Sequence, residues 1–247
     1  MHSLIFDILV CAIAAFAGGF TQGLSGLGFG MITVGIFTWI LNVTNSTILI
    51  LSISIVMAIS MVWRYRKELI VRDLTWILVG GIPTRVLAFL VNVRFGDLNW
   101  MKLTLGIFLL ALIIYSKFAG KYTERVHLGM IGGMVIGAIG GLIGGLFGIG
   151  GTIFAIYFLW RYKDTRNYAA AMQSVFLILN LESLILFGAS GEFNSNLLSI
   201  AWVAVLCAFV GMYFGLRLFD RISKHHIKGI VQGLITINAV WIILSNV

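Results

Sequence analysis

Charged residues and proline are both scarce in this sequence. Charged side chains make up 11% of the 247 residues and there is one proline, whereas a soluble domain has about 25% charged residues. Apolar runs recur along the chain at about 20 residues, the length that crosses a bilayer. The scarcity of charge therefore excludes a soluble globular protein, and the apolar runs predict a polytopic membrane protein in contact with the lipid bilayer.

Residues that commonly build catalytic or metal centres are also few. The two cysteines, Cys11 and Cys207, lie in apolar runs, and the four histidines lie at the N-terminus or in predicted loops. Buried cysteine usually behaves as a small apolar side chain, and the sequence has neither a Ser-His-Asp arrangement nor a Walker pattern. We therefore predict no metal, no cofactor and no enzymatic activity.

Most of the positive charges lie in four connections between apolar runs. The chain has 17 Lys and Arg against 9 Asp and Glu, for a net charge of +8. Of the 17, 14 lie in the connections 64–73, 117–127, 161–167 and 217–228. Cytoplasmic loops of membrane proteins carry such an excess of Lys and Arg. Cytoplasmic loops thus account for the net charge, and a nucleic-acid partner is not needed to explain it.

A glycine-rich segment occurs twice, at residues 18–30 and 140–152. With a shift of 122 residues five glycines coincide, and Asn45 also matches Asn167. Self-similarity at a fixed shift marks an internal repeat. Glycine interruptions at matching places in two halves of a membrane protein indicate the binding site of a transporter.

The basic connections on both sides of 128–160 predict the path of the second glycine segment. If 128–160 crossed the membrane once, one basic connection would face outward, so this stretch is predicted to return to its own side as a hairpin. Its return arm, 151–160, rises only about 15 Å, half the hydrocarbon core, which favours a re-entrant hairpin. Each half then has three further crossings, an odd number. The halves are therefore predicted to be inverted, with their glycine tips meeting near the midplane.

The predicted fold is an all-α polytopic membrane protein of two inverted repeats, each a re-entrant glycine-rich helical hairpin followed by three transmembrane helices. The repeats form one integral membrane domain, with both termini predicted outside. The first repeat, 1–121, has the hairpin 4–41 and the spans 47–63, 74–93 and 100–116. The second repeat, 122–247, has the hairpin 128–160 and the spans 168–189, 197–216 and 229–244.

The two glycine tips are the candidate substrate site. Where a helix restarts, its first N–H groups lack a partner within the helix and the helix dipole adds positive potential, which favours an anion. The alternative is helix packing through small residues, and it is the better interpretation for earlier glycines of the second copy such as Gly137. The predicted substrate-binding residues at the tips are Gln22, Ser25, Gly26, Gly28, Gly148, Gly150, Gly151 and Thr152.

Four further polar residues lie deep in predicted spans. Arg85 is twelve residues into its span, where charge is costly and indicates function; it is a candidate to bind the anion or to pair with Glu182. Gln173 and Asn180, seven residues apart on one helix face, are candidates to line the substrate path or to make interhelical hydrogen bonds. Glu182 is a candidate for carrying a coupling proton, and sodium coupling stays open. The oligomeric state is not predicted.

The segment Gly-Leu-Phe-Gly-Ile-Gly-Gly at 145–151, repeated in weaker form as Gly-Leu-Ser-Gly-Leu-Gly-Phe at 23–29, resembles the glycine signature of the TauE/SafE family of sulfite and organosulfur-anion transporters. The resemblance covers the whole chain in size and motif positions. It implies a multi-pass inner-membrane protein that moves sulfite, a sulfonate or a related sulfur compound, whereas the residues alone indicate a small anion and alternating access. The alternative function is a membrane-embedded subunit or assembly partner that does not transport.

Overall fold

A computed structural model of the protein describes residues 4–25, 28–118, 129–193, 195–218 and 224–246. These residues form ten α-helices, two short 3-10 turns and no strand, which confirms the predicted all-α fold. The helices of the first half are α1 (Leu4–Ser25), α2 (Phe29–Ile40), α3 (Val43–Arg64), α4 (Thr75–Phe95) and α5 (Asn99–Phe118). Those of the second half are α6 (Met130–Phe147), α7 (Gly151–Arg161), α8 (Thr165–Ala189), α9 (Ser195–Leu218) and α10 (Lys224–Asn246).

Six of the described helices are long and apolar enough to cross a membrane: α1, α3, α4, α6, α8 and α9. From the sequence, α1 and α6 are predicted to be hairpin arms, and α5 and α10 are predicted to be spans. In the described residues the apolar parts of α5 and α10 are shorter, at Asn99–Ile114 and Ile235–Ser245. With 22 and 18 residues, α1 and α6 rise about 33 and 27 Å, close to a hydrocarbon core of about 30 Å. The first arm of each predicted hairpin can therefore extend beyond the middle of a membrane.

The short helices α2 and α7 fold back along the long helices that precede them. A Cβ added to Gly18 would lie 2.6 Å from the methyl carbon of Thr33 and 2.9 Å from the ring of Phe29. A Cβ added to Gly150, just before α7, would lie 2.3 Å from the carbonyl oxygen of Gly140. Gly18 and Gly140 each lie seven residues before the end of their helix. Each long helix therefore continues about two turns past the start of its short partner.

Each long hairpin helix packs closely against the fourth helix of the opposite half, α1 against α9 and α6 against α4. The facing pairs are Gly19 with Ala208 and Gly23 with Met212 in the first contact, and Gly137 with Ile77 and Gly141 with Gly81 in the second. Residue numbers rise together in both series, so both pairs are parallel. A Cβ on Gly19 or Gly137 would lie 2.1 or 2.2 Å from a carbonyl oxygen of the partner. Small residues thus let the two backbones touch.

The connections on the two sides of α4 each hold the far end of a short helix. Before α4, Asp73 accepts hydrogen bonds from Arg161 at 2.7 Å and from the Tyr162 hydroxyl at 2.6 Å, at the end of α7. After α4, Asp97 accepts a hydrogen bond from Asn42, which follows α2. Because α4 separates these two contacts, α2 and α7 end at opposite ends of the bundle.

Asp73 is the buried member of the first contact. It is 8% exposed, and its ion pair with Arg161 is the one ion pair found within the described residues. Burial alone would raise the pKa of the Asp73 carboxyl, but the hydrogen bonds from Arg161 and Tyr162 and the nearby positive charge outweigh burial and lower that pKa below its ordinary value. Asp73 is therefore a charged anchor for the end of α7.

Candidate functional site

The two glycine segments meet around a small cavity. A Cβ added to Gly30 would lie 2.4 Å from the carbonyl oxygen of Gly148, so the start of α2 touches the segment between α6 and α7. The cavity has a volume of about 40 Å³. A buried water needs about 10–15 Å³ on this measure, so the space suits about three waters or one small polyatomic ion.

Nine of the predicted site residues line this one cavity, and they come from both hairpins, α4 and α8. They are Gln22, Gly28, Arg85, Gly148, Gly150, Gly151, Thr152, Gln173 and Asn180. Apolar walls are supplied by Phe29, Met57 and Phe176, among others. Glu182 does not line the cavity, and Gly26 and the side chain of Ser25 lie outside the described part of the chain.

The two short helices begin with different backbone geometry. Gly28, the residue before α2, has φ 114°, in the left-handed region that favours glycine. Its counterpart in the repeat, Gly150, has φ −61°. In the second copy the left-handed glycine is Gly148, with φ 74°, and it ends α6. The two tips therefore differ at the aligned position of Gly28 and Gly150, where the first is left-handed and the second helical.

Glycine at each helix start offers no side chain to the first N–H groups. At α2 the gap is filled from α1, since the backbone N–H of Phe29 donates to Oε1 of Gln22 at 3.3 Å. At α7 the N-cap Gly150 makes no side-chain cap bond. The Thr152 hydroxyl there donates to the carbonyl oxygen of Ile149 at 3.2 Å. Of the two short helices, α7 is therefore the one whose start no side chain caps within the described residues.

Arg85 is the strongest cationic feature of the cavity. It is 1% exposed, and its Nη2 and Nη1 donate to Oδ1 of Asn180 at 3.1 Å and to Oγ of Ser183 at 3.3 Å. Its Nε has no hydrogen-bond partner among the described residues. Both partners are neutral, so the guanidinium charge has no bonded counter-charge in this part of the protein. Sequence reasoning found Asn180 but missed Ser183, because serine is unremarkable in an apolar span.

Arg85 and Glu182 do not form the ion pair that the sequence left open. Glu182 is close enough for its charge to attract Arg85, but the pair does not come within ion-pair distance. Oε2 of Glu182 is buried and has no hydrogen-bond partner within the described residues. The two charges therefore lie in one region on α4 and α8 without neutralising each other by contact.

Two residues that sequence reasoning missed hold the end of α6. Nδ2 of Asn92 donates to the carbonyl oxygens of Gly145 at 2.9 Å and Leu146 at 3.1 Å. The hydroxyl of Thr47 donates to Leu146 at 2.8 Å. These carbonyls belong to the last turn of a helix, where no intrahelical partner exists. Asn92 lies one residue from the end of the predicted span 74–93 and Thr47 opens the span 47–63, so neither position signalled this role.

The chain matches a described family of membrane proteins over nearly its whole length. A family model described as Sulfite exporter TauE/SafE matches residues 11–242. Searches of curated proteins and of solved structures each found no match. The family match covers both glycine segments and the residues around the cavity, and the chain belongs to the TauE/SafE sulfite exporter family.

Proposed function

We propose that the protein is a secondary transporter that moves a small anion, sulfite or a sulfonate or related sulfur compound, across the inner membrane by alternating access. The single observation that carries this proposal is Arg85. It is a fully buried arginine with neutral partners, its Nε has no partner among the described residues, and it lines a cavity of small-anion size. An intramembrane charge of this kind indicates a substrate site.

The cavity offers an anion two kinds of partner. Arg85 supplies guanidinium N–H donors, which suit a group with several oxygens in one plane. The start of α7, at Gly151 and Thr152, supplies backbone N–H groups and the positive end of a helix. Glycine at Gly150 and Gly151 lets the backbone approach the ligand closely. Family membership supports a sulfur oxyanion as that ligand.

The arrangement of helices supports inverted halves and re-entrant hairpins. The long helix of each hairpin packs on the fourth helix of the other half, and the short helices end at opposite ends of the bundle. The contact of α1 with α9 and the contact of α6 with α4 are therefore equivalent, as expected if the two halves are related by a two-fold axis. In inverted-repeat transporters such halves rock around a central site formed by broken helices. In this scheme the site opens in turn to each side of the membrane, and the contacts of Asp73 and Asp97 lie on these two sides.

Glu182 is the candidate for carrying a coupling proton. Its Oε2, which has no partner in the described part of the chain, is on α8, the helix whose Asn180 and Ser183 hold Arg85. A proton gained or lost by Glu182 would change the charge beside the site without occupying the cavity.

Binding of sulfite to the purified protein in detergent tests the proposal, followed by sulfite flux into proteoliposomes. We expect wild type to bind sulfite and Arg85→Gln to weaken binding about tenfold or more, the effect of losing a charge-assisted hydrogen bond. Arg94→Gln, at an exposed arginine of the same helix, is the control and should bind normally. Glu182→Gln should fold and bind, because the Arg85 contacts do not depend on it. Absence of binding and flux in wild type would favour the non-transporting membrane subunit.

A further inference from the structure

The start of α2 is closed by a side chain of the protein itself. The N–H of Phe29, the first residue of α2, donates to Oε1 of Gln22 at 3.3 Å, and the N-cap Gly28 has no side chain to offer. Gln22, Gly28 and Phe29 all line the cavity that Arg85 lines. A neutral oxygen therefore occupies, at α2, the place where a helix start would receive an oxygen of an anion.

The matching place in the second hairpin is arranged differently. Gln22 corresponds to Gly144 at the shift of the repeat. Gly144 has no side chain, and the Arg85 guanidinium takes up the space, because an added Cβ would lie 2.7 Å from Nη2. The N-cap of α7 makes no side-chain bond. The cavity thus has a cationic, uncapped side at α7 and a self-capped side at α2.

We propose that Gln22 is an internal competitor of the transported anion. Its carboxamide oxygen holds the start of α2 until an oxygen of the anion, bound on Arg85 and α7, displaces it and bridges the two hairpins. This inference rests on the proposed function. Because the anion gains the N–H group of Phe29 only by breaking an existing hydrogen bond, Gln22 lowers affinity and favours release of the anion to either side.

Sulfite titration of the full-length protein in detergent, at constant ionic strength and without oxygen, tests the inference. Gln22→Met keeps the length of the side chain and removes the competing oxygen, so the Kd should fall about two- to tenfold, the effect of one ordinary hydrogen bond. Gln22→Asn keeps an amide but is one carbon too short to reach Phe29, and its Kd should fall as well. Gln173→Met is the matched control, because it removes an amide from the same cavity without uncapping α2; its Kd should not fall.

A Kd that is unchanged or raised in the Gln22 variants would overturn the inference. A raised value would assign Gln22 to direct binding of the anion. If one Gln22 variant does not fold, the other decides the question. Wild-type protein that binds no sulfite gives a different result, since it removes the proposed function before any Gln22 variant is compared.

Discussion

At the scale of single residues, Arg85 shows why a buried cation is retained inside an apolar protein. Its hydrogen bonds go to the amide oxygen of Asn180 and the hydroxyl of Ser183. Neither carries a charge, and a buried charge without a counter-charge is costly. A bound anion would remove this cost, so the binding of the ligand and the stability of the protein are linked through one side chain. We therefore expect sulfite to raise the melting temperature of wild type.

Gly144 keeps the space that the Arg85 guanidinium occupies, and Gly144→Ala tests this role. The added Cβ would lie 2.7 Å from Nη2 of Arg85 and 3.1 Å from Cα of Gly150. Nη2, which donates to Asn180, must move, so the Kd for sulfite should rise about three- to tenfold, as expected for a weakened hydrogen bond. Isothermal titration measures the change.

Gly188→Ala is the control, because its Cβ would meet only the ring of Phe193 at an ordinary 3.7 Å. Its affinity should equal that of wild type. Unaltered sulfite affinity in Gly144→Ala would argue against Arg85 as an anion ligand.

The depth of Arg85 was readable from the sequence, but its partners were not. Asn180 and Ser183 are 95 and 98 residues further along the chain, and they reach Arg85 only through the register of α4 on α8. The same register keeps Glu182, one residue from Ser183, out of ion-pair distance. The bond from Phe29 to Gln22 was unpredictable for a similar reason, since it depends on how tightly the break between α1 and α2 turns.

At the scale of helices, the two ends of α7 lie in different surroundings. It begins at the cavity, and its last residue, Arg161, is bonded to the buried carboxylate of Asp73. Phe154 and Phe158 of α7 are fully buried in the core, and the contact of Arg161 adds to the packing that fixes the position of the helix.

Replacement of Asp73 tests the anchor of α7. Asp73→Asn removes the ion pair and weakens both hydrogen bonds, so we expect the free energy of unfolding to fall by about 1–3 kcal/mol at pH 7. Because the pKa of Asp73 is lowered in the folded protein, its contribution is present above the ordinary carboxyl pKa of about 3.9 and is lost as the pH falls through the lower folded value. Melting curves from pH 7 to pH 3 should therefore converge for mutant and wild type.

Asp97→Asn provides the comparison at the opposite end of the bundle. Asp97 is exposed, and exposed polar contacts change stability by only about 0.5 kcal/mol. A mutant of Asp73 that melts like the Asp97 mutant at pH 7 would show that the end of α7 is not anchored in this way.

Apolar runs predicted an all-α fold with membrane-spanning helices because their length follows from the bilayer. The return arm was predicted from residue 151, and α7 begins at Gly151. The extent of the long arms was harder to predict. An apolar run that tilts within half of the membrane has the same composition as one that passes the middle. In the structure α1 and α6 run past the starts of α2 and α7. Their glycine contacts with α9 and α4, rather than hydrophobic length, account for this extent.

At the scale of the whole molecule, the proposed topology predicts which loops share a side of the membrane. Single cysteines are introduced as Ile70→Cys, Lys163→Cys and Leu98→Cys in a background where Cys11 and Cys207 are alanine. Ile70 and Lys163 lie in the two connections that Asp73 and Arg161 join, whereas Leu98 follows α4. We expect a membrane-impermeant thiol reagent to label the first two from the cytoplasmic side and the third from outside. Labelling of Ile70→Cys and Lys163→Cys from opposite sides would rule out the hairpin at 128–160.

The hydrogen bonds that hold the end of α6 also bear on how the two halves depend on each other. Thr47 and Asn92 both belong to the first half, and they satisfy carbonyls of the second. The positions that match them in the second half are Ala169 and Phe214. Neither side chain has a donor that could bond to carbonyls of the first half. Despite the internal duplication, the halves have become complementary parts like the subunits of a heterodimer. Two copies of the second half would lack both donors, whereas the two different halves supplied as separate polypeptides would carry them.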